Sequence, residues 1–435
     1  MAQLQYPPGF SVRRFWNYFP LGIAYAALYM GRYSYIPAQA DFSKGLMDRA
    51  GLGFMTMVGA IVYGVSFLFN GPLTDRIGGR RAMIISTLGS GIVNVFMGLL
   101  IALNWTNAFV MKMALLYGIN MYFQSFAAIA IVKVNSNWFH FTERGTLGGI
   151  FGILISSGLF LAYSVAPFVM KRIFPHDPQF YFFIPSILLF IMMLVTIVII
   201  RDTPAEAGFE GFHTGTDTQF DSDEKIHLLD ILKKILTHPI VLTIALIELC
   251  TGVLRDGVFH WFGAWAKQSS VPSVREMLGI GMFIAGASGS MLAGLISDKL
   301  FGSRRPPVAA LLYGILTSTL VAAALIISFM PDTMIVKPYL LFAIVIIVAF
   351  CVIGTHGVLS GTASADFGGK QATGTAVGII DGFVYLGVAI QGISLGKLTS
   401  LDWNYWFPFL IPFSVIGFAL AWRVRNVKPK LKSGH

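Results

Sequence analysis

The chain has 435 residues, of which 55% are hydrophobic and only 12% charged, and its mean hydropathy is +0.71. A soluble domain of this size needs more charge to cover its surface, so soluble enzymes and soluble binding modules are excluded. The net charge of +10 invites a nucleic-acid partner, but the charges lie in the connections between apolar runs rather than in a patch, which sets that partner aside.

Runs of about 20 apolar residues are enough to cross a bilayer, and roughly twelve are present. Six fall in residues 1–200, at approximately 16–39, 51–70, 82–103, 107–132, 145–169 and 179–200. A polar central loop, 201–239, separates them from six more in residues 240–425, at approximately 240–266, 277–293, 307–330, 338–360, 373–395 and 405–422. Residues 426–435 form a basic tail, expected at a lipid surface. The expected fold is an all-α membrane protein of twelve transmembrane helices in two six-helix, pseudo-symmetric halves. Connections on the side of the termini carry more than twice as many Lys and Arg as those opposite, so both termini are expected in the cytoplasm. No cleavable signal peptide is expected, because Met1 to Val12 is polar and the first apolar run is long.

The first segment opens on Arg13-Arg14 and an aromatic anchor and carries Arg32 within it. After the second comes Gly71-Pro-Leu-Thr-Asp-Arg-Ile-Gly-Gly-Arg-Arg81, read as a tight charged loop over 71–81. The fourth carries Lys112 and Lys133 near its ends, where both could snorkel. Arg144 opens the fifth, whose many Gly and Ser residues suit close helix packing. The central loop begins Arg201-Asp-Thr-Pro204, turns acidic up to Glu224 and includes an amphipathic piece, 226–236. The seventh segment holds Glu248, Arg255, Asp256 and His260, the tenth His356 and the eleventh Asp381. A degraded copy of the first charged loop, Gly294 to Arg305, follows the eighth, with Asp298 spaced 223 residues from Asp75. Cys250 and Cys351 lie within apolar segments, so no disulfide framework, metal site or cofactor is expected.

Charges at mid-bilayer cost roughly 2.5–3.5 kcal/mol on insertion scales, so Arg32, Arg255, Glu248 and Asp381 are functional candidates. Arg32 and Arg255 are also 223 residues apart, the offset of the two charged loops. In a fold of two parallel repeats, equivalent positions face each other across a central cavity. Two guanidiniums there repel, and neither can lose its proton, so an anion between them is the natural partner. A guanidinium fork matches phosphate oxygens in bidentate fashion, which points to phosphate. The structural alternative is an ion pair of Arg255 with Glu248, seven residues earlier on nearly the same helix face.

The repeated loop resembles the one that joins the second and third helices of the major facilitator superfamily and recurs between its eighth and ninth. Further stretches resemble the organophosphate:phosphate antiporters, which carry glycerol phosphate, hexose phosphates and phosphoglycerates. They are Tyr25-Ala-Ala-Leu-Tyr29-Met-Gly-Arg32, Tyr63-Gly, Phe123-Gln124, Glu143-Arg144-Gly145, Arg201-Asp-Thr-Pro204, Val253-Leu-Arg255-Asp-Gly257 with Trp261, Gly374-Thr-Ala and Tyr385-Leu-Gly387. The resemblance implies that Arg32 and Arg255 grip a substrate phosphate, with Tyr25, Tyr29 and Tyr63 near the cavity. A tyrosine on a membrane helix also serves packing or an interface.

The chain departs from the glycerol-phosphate type at four places. Tyr33 and Phe67 stand where that type has lysines, Ile155 where it has a histidine, and His260 where it has an acid.

The expected activity is secondary transport of a phosphorylated small metabolite in exchange for inorganic phosphate, by alternating access. The protein would act as a monomer in a plasma membrane such as a bacterial inner membrane. Asp75, Arg76, Arg80 and Arg81, with Asp298, Lys299, Arg304 and Arg144, are expected to form cytoplasmic latches. One alternative keeps the fold and couples an organic anion to protons through Glu248, Asp381 and His356, with His260 also titratable. Another is a transporter-like receptor for sugar phosphate. No nucleophile motif or nucleotide-binding loop supports an enzyme or a pump.

Overall fold

The computed structural model describes residues 6–39, 46–140, 144–210, 239–302 and 304–426. The acidic part of the central loop beyond 210, the amphipathic piece 226–236 and the basic tail from 427 lie outside the described residues.

Twelve long helices follow one another: α1 Phe10–Tyr33, α2 Arg49–Ile77, α3 Gly79–Ala102, α4 Phe109–Trp138, α5, α6 Phe180–Ile199, α7 Pro239–Ala266, α8 Leu278–Leu300, α9 Arg305–Phe329, α10 Val336–His356, α11 Ser364–Leu401 and α12 Trp406–Arg423. Helix α5 comprises Arg144–Phe160, a π-helical stretch Leu161–Val165 and Ala166–Ile173. A second π-helical stretch, Gly357–Ala363, joins α10 to α11. Among the described residues, ten helical spans are long and apolar enough to cross a membrane. Helices α1 and α7 have the length, at 24 and 28 residues, but carry too much polar content to join that group. They are the helices that bear Arg32 and Arg255.

Helix packing repeats with a shift of six. In the first half α1 packs on α5 and α6, α2 on α4, and α3 on α4 and α6; in the second α7 packs on α11 and α12, α8 on α10, and α9 on α10 and α12. The halves meet through α2 against α11 and α5 against α8, two contacts that the same shift exchanges. Small residues make both seams. A Cβ on Gly53 would sit 2.4 Å from the Gly392 carbonyl oxygen, and one on Gly152 would sit 2.2 Å from the Ser290 side chain. Without water inside a bilayer, association depends on this kind of close packing.

The structure corrects the expected loop over 71–81. Helix α2 continues through Asp75 and Arg76 to Ile77, and the whole turn is Gly78, with φ 90° and ψ 154°. Only glycine takes that conformation freely, and a Cβ there would also lie 2.4 Å from Asp202 Oδ2. The second copy is looser, since four residues separate Leu300 from Arg305. The expected bounds are also too short for the eleventh segment, because α11 spans 38 residues, about 57 Å at 1.5 Å per residue.

Candidate functional site

Arg32 lies near the end of α1 with 1% of its surface exposed. Its Nε donates to Gln124 Oε1 at 2.7 Å, one terminal nitrogen to the Tyr63 hydroxyl at 2.8 Å, and the other to the Tyr385 hydroxyl. Its guanidinium also lies over the Tyr63 and Tyr29 rings, 4.5 and 4.8 Å from their centres. All of these partners are neutral. Ring faces and hydroxyl oxygens stabilise a buried cation, but they leave its net charge in place.

Arg255 is 3% exposed, in the middle of α7. Its Nε donates to Asp256 Oδ1 at 2.8 Å, and its Nη2 has no hydrogen-bond partner among the described residues. The guanidinium carbon stands 5.5 Å from the centre of the Tyr385 ring. The expected alternative pairing with Glu248 does not form, because Glu248 Oε2 lies 2.8 Å from His356 Nδ1.

A small cavity of about 10 Å³, about the space of a single water, lies between α1, α5 and α7. Arg255, Asp256 and His260 line it from α7, Tyr29 and Tyr33 from α1, and Ile155 and Tyr163 from α5. His260 is 2% exposed and neither ring nitrogen has a hydrogen-bond partner among the described residues. Arg32 and Tyr63 stand behind this wall rather than on it. Tyr25 packs 5.2 Å from Tyr29, ring to ring, and also lies off the wall.

Three of the four departures from the glycerol-phosphate type, Tyr33, Ile155 and His260, therefore fall on one cavity surface. The fourth, Phe67, packs 4.5 Å from the Tyr63 ring. Two residues of the cluster had no role assigned from sequence. Tyr385 and Gln124 had stood out only as parts of matching motifs, yet they hold Arg32. The signal available in the sequence was their polarity inside apolar helices.

Several residues of the charged turns have described partners within their own half. Asp75 pairs with Lys133 on α4 at 2.7 Å, within the first half. Asp202 Oδ1 accepts the Arg80 amide at 2.7 Å at the start of α3, where the helix leaves unpaired donors. The Arg80 side chain reaches the Ile197 carbonyl, while Arg76 and Arg81 are exposed. Residues 201–202 are also tied to α1 and α4. Asn17 and Arg201 exchange two hydrogen bonds, of 2.8 and 3.1 Å, and Trp138 Nε1 donates to the Arg201 carbonyl at 3.1 Å. Burial pushes the Asp202 carboxyl up from its ordinary pKa, opposed by the Arg80 and Gly79 amides.

In the second copy Arg304 Nε donates to the Phe301 carbonyl at 3.0 Å, Arg305 Nη1 to Ser297 Oγ at 2.9 Å, and Lys299 is exposed. The side chains of Asp298 and Arg144 lie outside the described residues.

At the bundle end remote from the termini the halves are tied directly. Arg49 on α2 donates to the Thr399 carbonyl on α11 and covers Trp403, 5.1 Å from its ring centre. Arg275 donates to the Pro37 carbonyl at 3.4 Å, and the Tyr35 ring lies 5.9 Å from that of His260.

Comparison with known proteins agrees with this architecture. The chain is 26% identical to the membrane sensor protein UhpC of Salmonella typhimurium, over 91% of this chain and 87% of that protein. It is 26% identical to the glycerol-3-phosphate transporter of Bacillus subtilis, over 92% and 90%. It is 25% identical to a Chlamydia trachomatis protein named "Probable hexose phosphate transport protein", over 92% and 88%. The family model for the Major Facilitator Superfamily matches residues 21–392, and with twelve helices in two packed halves of six the chain belongs to that superfamily.

Proposed function

We infer that the protein is a secondary transporter that moves a phosphorylated small metabolite across a bacterial inner membrane in exchange for inorganic phosphate. The termini would face the cytoplasm and one chain would form the pathway. The observation that carries this reading is Arg255, whose unpartnered Nη2 belongs to a side chain on the cavity wall. Directly behind that wall stands a second buried cation, Arg32, whose hydrogen-bond partners among the described residues are neutral. Of the two arginine charges, Asp256 offsets one, so the cluster attracts an anion and fits a phosphate dianion. Glycerol-phosphate and hexose-phosphate names among the similar proteins support the same class.

The cavity as it stands is too small for a sugar phosphate, so loading requires the halves to separate. Rocking about the α2–α11 and α5–α8 seams provides that motion, as in alternating access. A bound phosphate stabilises the closed arrangement by neutralising the cations, and an empty site resists closure. Exchange is favoured over uniport for that reason. Tyr29, Tyr33, Tyr163 and His260 would contact the organic part, while Tyr63 and Tyr385 hold Arg32 in place.

The test is counterflow of radiolabelled phosphate in proteoliposomes loaded with phosphate and challenged with glycerol and hexose phosphates. Exchange that requires internal phosphate and is lost in Arg32→Lys and Arg255→Lys supports the reading. Absence of phosphate and organophosphate flux under every loading overturns it. A second reading, a sugar-phosphate receptor, draws on the similarity to a membrane sensor protein. Saturable binding of an organophosphate without flux would favour it.

A further inference from the structure

Two helical turns before Arg255, the second half buries titratable groups that the proposed arginine pair does not use. Glu248 on α7 is fully buried, with Oε2 bound to His356 Nδ1 on α10 at 2.8 Å. Its other oxygen, Oε1, is buried with no hydrogen-bond partner among the described residues. Asp381 on α11, 4% exposed, accepts from the Ser360 hydroxyl. Ser360 belongs to the π-helical stretch Gly357–Ala363 that directly follows His356. Such stretches are rare and concentrate at functional sites.

Other groups face this cluster from the neighbouring helices. Helix α7 brings Arg255, itself paired with Asp256, and the Cys250 thiol. Helix α9 brings Tyr313, whose hydroxyl lies 2.8 Å from Thr251 Oγ1 and donates to the Ile247 carbonyl. Helix α2 brings Tyr63, and α11 itself brings Tyr385, which lies under Arg255. With His356 charged, two carboxylates and one imidazolium leave a net charge of −1 in low dielectric. Arg255, a cation among the described residues that acts on His356 and Asp381, is already engaged by Asp256. An arriving phosphate dianion would draw more of its field away.

We propose that Glu248, His356 and Asp381 form a proton-binding site, and that a proton taken up there accompanies the anion bound at Arg255. The step is a protonation only: a solvent proton ends on a carboxylate oxygen of the cluster, and nothing is oxidised or reduced. Glu248 Oε1 accepts it without disturbing the bond from Oε2 to His356. Proton and anion then strengthen each other's binding, because a coupling free energy between sites is reciprocal. The coupling to the anion rests on the phosphate reading above; the proton site itself does not.

Two measurements test this on purified full-length protein. The first is phosphate counterflow between pH 6 and 8 for the wild type, Asp381→Asn, Glu248→Gln and the conservative Asp381→Glu. Phosphate's own titration is common to all four, so the ratio of half-saturation to the wild type isolates the cluster. That ratio is expected to change about fivefold or more across the range for the Asn and Gln variants, and to stay flat for Asp381→Glu. A ratio that is constant for Asp381→Asn and Glu248→Gln overturns the coupling.

The second is thermal unfolding in detergent without phosphate. Burying a charged carboxylate costs more than burying its neutral form, so the wild type loses melting temperature as pH rises from 6 to 8, and Asp381→Asn and Glu248→Gln lose less. Curves parallel to the wild type overturn the proton site. This readout stands even if the protein transports no phosphate. Should Asp381→Asn fail to fold, Glu248→Gln carries both measurements.

Discussion

Tyr385 joins the two arginines of the site: its hydroxyl accepts a hydrogen bond from Arg32, and its ring centre lies 5.5 Å from the guanidinium carbon of Arg255. Since α1 belongs to one half and α7 and α11 to the other, the link crosses between them. Tyr385→Phe keeps the ring under Arg255 and removes the acceptor. It is expected to weaken phosphate binding by about 1 kcal/mol, roughly fivefold in half-saturation. Tyr385→Leu removes both contacts and should weaken it further. Half-saturation in counterflow decides this, and identical values for the Phe and Leu variants would mean that the ring contributes nothing.

Replacing Arg255 by lysine keeps a positive charge but removes the planar fork and its unpartnered Nη2. Loss of one charge-assisted hydrogen bond is worth about 2 kcal/mol, or roughly 30-fold in half-saturation. Arg32→Lys strands the Tyr63 hydroxyl and Gln124 as well, because three separate acceptors now take its donors. A larger effect is therefore expected at Arg32, including a fall in melting temperature. Parallel transport and unfolding assays separate the two contributions.

Much of this arrangement was legible in the sequence, for reasons that differ from part to part. Apolar run length marked twelve helices because a bilayer imposes a minimum span. The shared 223-residue offset marked Arg32 and Arg255 because a duplicated fold places its copies in equivalent positions. Helix ends were less visible. Asp75 and Arg76 read as loop residues from their charge, whereas Lys133 supplies a partner that lets the helix continue around them. The role of Tyr385 was hidden because it depends on the contact of α11 with α2, a relation between residues 322 positions apart in the chain when counted from Tyr63. Glu248 chose His356 over Arg255 for the same kind of reason, since the packing of α10 on α7 was not written in the spacing of α7 alone.

His260 offers two unpartnered ring nitrogens on the cavity wall, opposite Tyr33 and Tyr163. With the phosphate held by the arginines, the contact proposed for His260 is with the organic substituent. His260→Ala is thus expected to leave phosphate self-exchange within about twofold while weakening the preferred organophosphate by about 1 kcal/mol or more. A panel of labelled organophosphates against phosphate measures the split. An equal loss for both substrates would place His260 in the folding of α7 instead.

Asp202 lies outside the membrane spans and caps α3 through the Arg80 amide. Asp202→Ala is expected to destabilise the protein by about 1 kcal/mol, as for loss of a helix cap. Asp202→Asn keeps an acceptor oxygen. Because burial raises the native carboxyl's pKa, its contribution to stability is full below the ordinary aspartate range and is lost as pH rises through the native value. The melting temperature of Asp202→Asn relative to the wild type should therefore rise with pH. A relative shift that falls with pH would show that the charge itself stabilises the cap.

Close glycine contacts of two kinds involve α11. Those at Gly252 and Gly387 join α7 to α11 within one half, with a Cβ at Gly252 falling 2.0 Å from the Val384 carbonyl oxygen and one at Gly387 falling 2.1 Å from that of Leu249. The contact at Gly53, 2.4 Å from the Gly392 carbonyl oxygen, crosses between halves at the end where Arg49 meets Thr399. Bulk within a half strains a packing that no transport step relieves, so Gly252→Val should lower the melting temperature and the yield of folded protein. Bulk between halves strains only the conformation closed at that end. Gly53→Val should therefore fold, lose exchange, and shift the population toward the arrangement open there. A cysteine placed at Thr399 reports the difference through its labelling rate by a membrane-impermeant maleimide. That rate should rise several-fold in the Gly53→Val background, and an unchanged rate with normal exchange would mean that the α2–α11 seam does not part during transport.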